Sequence, residues 1–141
     1  MKNKSILLLF IAITMFGSIG CKKEDKKVQT QLPANYTNQG TITVTKKDIS
    51  ICIYDNNAED GDVIDLLFNG NTLISNYELK NVERCFDVTL ESGNNWIGIN
   101  VDNEGTNPPA SVSVRIDDGD SVQEFDIDGE VGAPGGYIIK L

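Results

Sequence analysis

Ile49-Ser50-Ile51-Cys52-Ile53-Tyr54 decides the fold: isoleucine recurs at every second position, and each one is followed by a smaller or more polar residue. A period of two puts the three isoleucines on one face of an extended chain, the mark of a half-buried strand. The same pattern recurs in both directions. Ile42 and Val44 alternate with threonines upstream. Downstream, Val63 to Phe68 ends on Asn69-Gly70, a dipeptide suited to a tight hairpin because both residues tolerate positive φ. Leu73-Ile74 and Tyr77-Glu78-Leu79 are shorter pieces, and Phe86, Val88 and Leu90 alternate before a turn at Ser92-Gly93-Asn94-Asn95. Ile97, Ile99 and Val101 share one face of the next segment, and Val112, Val114 and Ile116 alternate up to Asp118-Gly119. Val122, Phe125 and Ile127 follow, then a Gly/Pro loop and Tyr137 to Leu141. No window sustains a 3.6-residue period. About eight or nine short strands at this spacing predict an all-β fold, a single antiparallel β-sandwich of Ig-like or jelly-roll type.

The N-terminus reads differently. Lys2 and Lys4 precede an apolar run from Ile6 to Phe16, which is followed by Ser18-Ile19-Gly20-Cys21. A basic start, a short apolar stretch and a small-residue cleavage site form a secretory signal, too short to span a bilayer. Ending on cysteine, it resembles the bacterial lipoprotein signal, although Ser18 stands where that family usually has leucine. The resemblance implies lipidation of Cys21 and anchoring to the outer membrane through acyl chains, each buried methylene contributing about 0.8 kcal/mol. Lys23-Glu24-Asp25 next to that cysteine resembles the surface-export signal of Bacteroidota lipoproteins, which implies exposure at the cell exterior; a plain solvated tether is the alternative. Residues 28–40 carry no sustained periodicity and read as linker. The expected organisation is a signal peptide over 1–20, a lipidated cysteine and tether over 21–40, and a β-sandwich domain over 41–141.

Charge is segregated along the chain. Residues 41–141 hold 19 acidic and 6 basic residues, a net charge of −13. Such a domain is repelled by nucleic acid and anionic lipid, and attracts cations or a basic partner. The whole chain contains no histidine. No Ser-His-Asp or Cys-His constellation can be assembled, and no imidazole-ligated zinc site. Phosphate-binding loops, dinucleotide fingerprints and Cys-x-x-Cys pairs are also missing. A small hydrolase working through carboxylates is left as the minor reading, without a spacing that picks out its pair.

With Cys21 assigned to lipid, Cys52 and Cys85 remain, both on the polar face of their strands. In an oxidising compartment they are expected to form a disulfide, so that their strands lie side by side or meet at an edge. A catalytic thiol is the rival reading, disfavoured because no histidine can activate it.

The segment Tyr54-Asp55-Asn56, Glu59-Asp60-Gly61-Asp62, Phe68-Asn69-Gly70 and Asn103-Glu104-Gly105-Thr106-Asn107-Pro108-Pro109-Ala110 resembles a recurrent β-sandwich module of secreted Bacteroidota proteins. The resemblance covers about 41–141 and departs from the module at Tyr54, usually tryptophan, and at Glu104, usually leucine. It implies fold and address, and no activity.

If consecutive strands alternate in direction, loops 55–62, 102–110 and 128–135 emerge at one end and gather Asp55, Asp60, Asp62, Asp102, Glu104, Asp128 and Glu130. Ca²⁺ takes about 6–8 oxygen ligands and suits such loops. Asp55, Asp60, Asp62 and Asp102 are therefore the candidate metal ligands, with solvated turn residues as the alternative. The loop lacks EF-hand spacing. Tyr54 and Trp96 are the candidate binding aromatics: Trp96 is out of phase with Ile97 and is expected on the outer face, and Tyr54 adjoins the acidic end. The expected function is a non-catalytic, surface-anchored binding or interaction module with a protein or glycan partner, calcium-assisted if the loops hold the ion. The alternative is a structural accessory lipoprotein.

Overall fold

Alternating apolar residues form every strand expected from the sequence, and the computed structural model describes them within residues 28–141. In chain order the strands are β1 (Thr37–Thr43), β2 (Asp48–Tyr54), β3 (Asp62–Phe68), β4 (Asn71–Glu78), β5 (Arg84–Thr89), β6 (Asn94–Glu104), β7 (Ala110–Asp117), β8 (Val122–Gly129) and β9 (Gly135–Lys140). They make a five-stranded sheet of order β1-β9-β6-β3-β4 and a four-stranded sheet of order β5-β2-β7-β8. The fold is an all-β sandwich. One pairing departs from the antiparallel expectation: β1 runs parallel to β9. Only β3–β4 and β7–β8 are hairpins between neighbours, and every other connection crosses from one sheet to the other.

The isoleucines of β2 meet the inner face of the opposite sheet. Ile51, Ile53, Ile64, Leu66, Ile97, Ile99, Val112, Ile127 and Ile139 are all fully buried between the layers. Each such side chain contributes roughly 1.5–3 kcal/mol relative to exposure. At the β3–β4 turn Asn69 and Gly70 both take positive φ, 49° and 78°. The free edge of β8 is covered by a side chain: Gln39 Nε2 donates to the Asp128 carbonyl (2.7 Å) and Gln39 Oε1 accepts from Asp128 N–H (3.0 Å). This caps the edge at Asp128, where a stray strand would otherwise pair.

Two findings correct the sequence reading of the tether. Strand β1 begins at Thr37, and residues 28–36 are packed onto the outer face of the five-stranded sheet. Gln29 N–H donates to the Asn69 carbonyl at 3.1 Å, and the Tyr36 hydroxyl donates to Asn100 Oδ1 at 2.7 Å. Gly98 and Gly136 make the room: a Cβ on Gly98 would lie 2.6 Å from the Tyr36 ring, and one on Gly136 2.9 Å from Leu32. Glycine within a strand often marks such a close approach. The segment 28–36 is a strap, where the sequence reads as linker. Cys21 and the signal at 1–20 lie outside the described residues.

Asp118 closes the opposite layer. Its carboxylate, 3% exposed, accepts hydrogen bonds from the backbone N–H groups of Thr45, Asp120 and Ser121 and from the Thr45 and Ser121 hydroxyls. These bonds tie the β1–β2 connection to the β7–β8 turn and hold the Asp118 carboxyl far below the usual range, the Thr45 N–H contributing most.

Candidate functional site

β2 ends and β3 begins at the same end of the sandwich, so Asp55 follows Tyr54 into a loop that returns at Asp62. The loop from β6 to β7 lies across from it. Between them is a cleft of about 380 Å³ lined by Asp55, Asn57, Asp60, Asp62, Thr106 and Asn107, with Ala58, Pro109 and Ser111 completing the wall. Three of the four aspartates named as candidate metal ligands line it.

Each is fixed by its own backbone context. Asp55 N–H donates to the Lys80 carbonyl, and Asp55 Oδ1 accepts from Asn57 N–H at 2.8 Å, an Asx turn that bends the chain into the loop. Asn81 braces that loop from outside, its amide donating to the carbonyls of Asp55 (2.7 Å) and Asn57 (2.6 Å). Asp60 packs on Gly105, where a Cβ would lie 2.5 Å from Asp60 Oδ1. Glycine at 105 is required twice over, since its φ is +61°.

Asp62 is the unusual member. It is 6% exposed. Its Oδ2 accepts a long 3.4 Å bond from Ser111 N–H, and its Oδ1 is buried with no hydrogen-bond partner. Burial, then the neighbouring charge of Asp60, pushes its pKa up to about 6; the Ser111 N–H opposes the shift and Asp55 adds to it. A buried carboxylate oxygen without a partner is costly and needs a counter-charge, a proton or a water.

The remaining candidates are placed elsewhere. Asp102 is exposed at the β6 irregularity between Val101 and Asn103 and does not line the cleft. Glu104, Asp128 and Glu130 belong to the far side of Pro109: Glu104 Oε1 accepts from Val131 N–H at 2.7 Å, and Asp128 and Glu130 line a neighbouring depression of about 230 Å³. Tyr54 does not face the acidic end. Strand alternation turns it to the outer face of the four-stranded sheet, opposite Ser113. There partial burial, and then Glu124, Glu83 and Asp126, raise its pKa against the pull of Arg115.

Trp96 is on the outer face of its sheet, as its phase requires, yet only 1% exposed. The strap covers it. Its indole is therefore a packing element and no free platform.

Cys52 and Cys85 are directly opposed on β2 and β5 and are joined by a disulfide. Cys52 is 2% exposed despite its polar-face position, with the Arg115 guanidinium 3.3 Å from its sulfur. Among the described residues, the trio of acidic or cysteine side chains whose ligating atoms lie within 4.8 Å of one another is Cys52, Glu83 and Cys85. Its two sulfurs are bonded to each other, so it offers no thiolates to a metal. The three aspartates of the cleft are not drawn that close.

The cleft is lined by hard oxygen donors from carboxylates, amides and two hydroxyls, and it has no aromatic wall. That donor set fits Ca²⁺, whose coordination is flexible, better than Mg²⁺, which demands a tight octahedron. Asn57, Thr106 and Asn107 are donors beyond those expected from the sequence; the sequence signal for the last two is their place in the Gly105-to-Pro109 loop. Comparison with protein families, curated proteins and solved structures finds no match to this chain.

Proposed function

We propose that this chain is a non-catalytic, lipid-anchored surface protein whose acidic loop end binds a divalent cation, Ca²⁺ by its donor set, and presents that end to a partner. The unpartnered, buried Oδ1 of Asp62 in an oxygen-lined cleft carries the reading. A cation there would neutralise the carboxylates that crowd Asp62 and draw the two loops together.

The strap supports the presentation. Gln29 bonds at Asn69, beside the β3–β4 turn, and Asp62 is at the other end of β3. Cys21 precedes Val28 by 7 residues, a span of at most about 25 Å when fully extended. An anchor at Cys21 therefore keeps the Asn69 end near the membrane and turns the cleft outward. A wall without aromatics favours a protein partner over a glycan, because sugar sites use aromatic faces for ring packing.

The test is a thermal melt of the full chain in EDTA, in millimolar Ca²⁺ and in millimolar Mg²⁺. A ligand at about 100 times its Kd that binds only the native state adds about 2.7 kcal/mol, a rise on the order of 10 °C for a domain of this size. A calcium-selective rise that Asp62→Asn abolishes is the expected outcome. Identical melts in all three conditions would remove the cation from the proposal.

A further inference from the structure

The Cys52–Cys85 bond joins two strands that are already held in register by hydrogen bonds from Asp48↔Thr89 to Ile53↔Arg84. Its two sulfurs live in different environments. Cys85 is exposed on β5, the edge strand of its sheet, whereas Cys52 is 2% exposed beneath the neighbouring side chains. Solvent therefore meets the bond from the Cys85 side, and the Cys52 side is shielded.

The buried sulfur has a guanidinium against it, and the carboxylate paired with that guanidinium, Glu83, lies within 4.8 Å of both sulfurs. Arg115 Nη2 lies 3.3 Å from Cys52 Sγ. The guanidinium is held there by a two-point pairing with Glu83, Nε at 2.9 Å and Nη2 at 2.7 Å. A cation lowers the pKa of an adjacent thiol, and a thiol of lower pKa leaves faster in exchange. No histidine is needed, because the incoming thiol reacts as its own thiolate.

We propose that the Cys52–Cys85 bond is a thiol-exchange site for small external thiols of neutral or positive charge. The incoming thiolate attacks Cys85 Sγ, forming a new S–S bond to Cys85 as the Sγ–Sγ bond breaks. The bonding pair leaves with Cys52, whose thiolate is held by Arg115. One thiolate is consumed and one is released, so charge and electrons balance. Return attack by Cys52 expels the thiol and restores the closed form. Charge selection comes from the surroundings: Asp87 follows two residues along the same exposed face, the domain over 41–141 carries 19 acidic against 6 basic residues, and Glu83 Oε2, paired with Arg115, is 3.9 Å from Cys85 Sγ. Anionic thiols are repelled there.

The experiment incubates the full chain with cysteamine or with glutathione, quenches in acid, and maps the adduct to Cys52 or Cys85. Rates are compared per thiolate. The expected result is an adduct on Cys85 of the folded protein, formed faster by cysteamine than by glutathione, with the gap narrowing in high salt. Arg115→Gln is expected to slow the cysteamine reaction about tenfold, from the loss of leaving-group stabilisation, and Arg115→Lys to restore part of the rate. Three results would each overturn the proposal: adduct formation only at the rate of global unfolding, an adduct on Cys52, or equal rates for the two thiols. An Arg115→Gln variant that melts like wild type and reacts at the wild-type rate would also overturn it. The thiol comparison is read on the wild-type chain, so it stands whether or not the variants fold well.

Discussion

The Trp96 indole N–H donates to the Gln29 carbonyl at 2.6 Å, and the Tyr36 ring lies on the same indole with centroids 5.3 Å apart. Two residues of the strap thus enclose the single tryptophan of the chain. The strap has no regular structure before β1, so its place is held by these contacts and by the space over Gly98 and Gly136.

Tyr36→Ala should therefore loosen the strap and destabilise the domain by about 2 kcal/mol, the scale of a lost half-buried aromatic with its hydroxyl bond. Gly98→Ala should act in the same direction, because its Cβ would stand 2.6 Å from the Tyr36 ring. Tryptophan fluorescence reads both directly. Emission should shift to the red as water reaches Trp96, and unchanged emission in both variants would show that the strap does not cover the indole in solution.

Asp118 makes a separate prediction. Its carboxyl is held below the ordinary range by the Thr45, Ser121 and Asp120 N–H groups, so it stabilises the fold in its charged form. The native state then binds fewer protons than the unfolded state, and the benefit is present above the unfolded pKa near 4 and lost as pH falls below it. Asp118→Ala should lower the melting temperature at pH 7 by about 5–10 °C, since several backbone donors lose their partner at once. The difference from wild type should shrink as the pH is taken from 5 towards 2; melts across that range test it.

The sandwich was legible because its apolar period is local: each of β2, β6 and β7 shows its buried face within six residues, and Asn69-Gly70 marks its own hairpin. The convergence of Asp55, Asp60 and Asp62 followed from strand direction alone. Asp102 falls outside the cleft because an irregularity in the β3–β6 register around Val63 and Ile64 interrupts simple alternation. Tyr54 and Asp55 are adjacent in sequence yet face different ways, which adjacency cannot reveal but alternation does. Trp96 was given the right face and the wrong exposure. Its cover comes from Gln29 and Tyr36, 67 and 60 positions away in sequence, in a segment without periodicity. The one sequence signal was glycine at Gly98 and Gly136, outward positions where a strand ordinarily carries a side chain.

The cleft gives the sharpest pH dependence. The Asp62 carboxyl has its pKa pushed up to about 6 by burial and by Asp60. Between its unfolded value near 4 and about 6, the native state holds more protons than the unfolded state, so stability falls as pH rises through that window. The cost of ionising Asp62 at pH 8 is on the order of 2–3 kcal/mol. Asp62→Asn removes that cost and keeps the shape. In EDTA at pH 8 the variant should melt on the order of 10 °C above wild type, at about 4–8 °C per kcal/mol; at pH 4.5 the two should nearly coincide. A cation reverses the order. It competes with the proton on Asp62, so its stabilisation of wild type should grow from pH 5 to pH 8, while Asp62→Asn gains little at either pH and Asp102→Asn behaves as wild type throughout. A wild-type melt that does not fall between pH 4.5 and pH 8 in EDTA, relative to Asp62→Asn, would mean that Asp62 is not the strained carboxylate of the cleft.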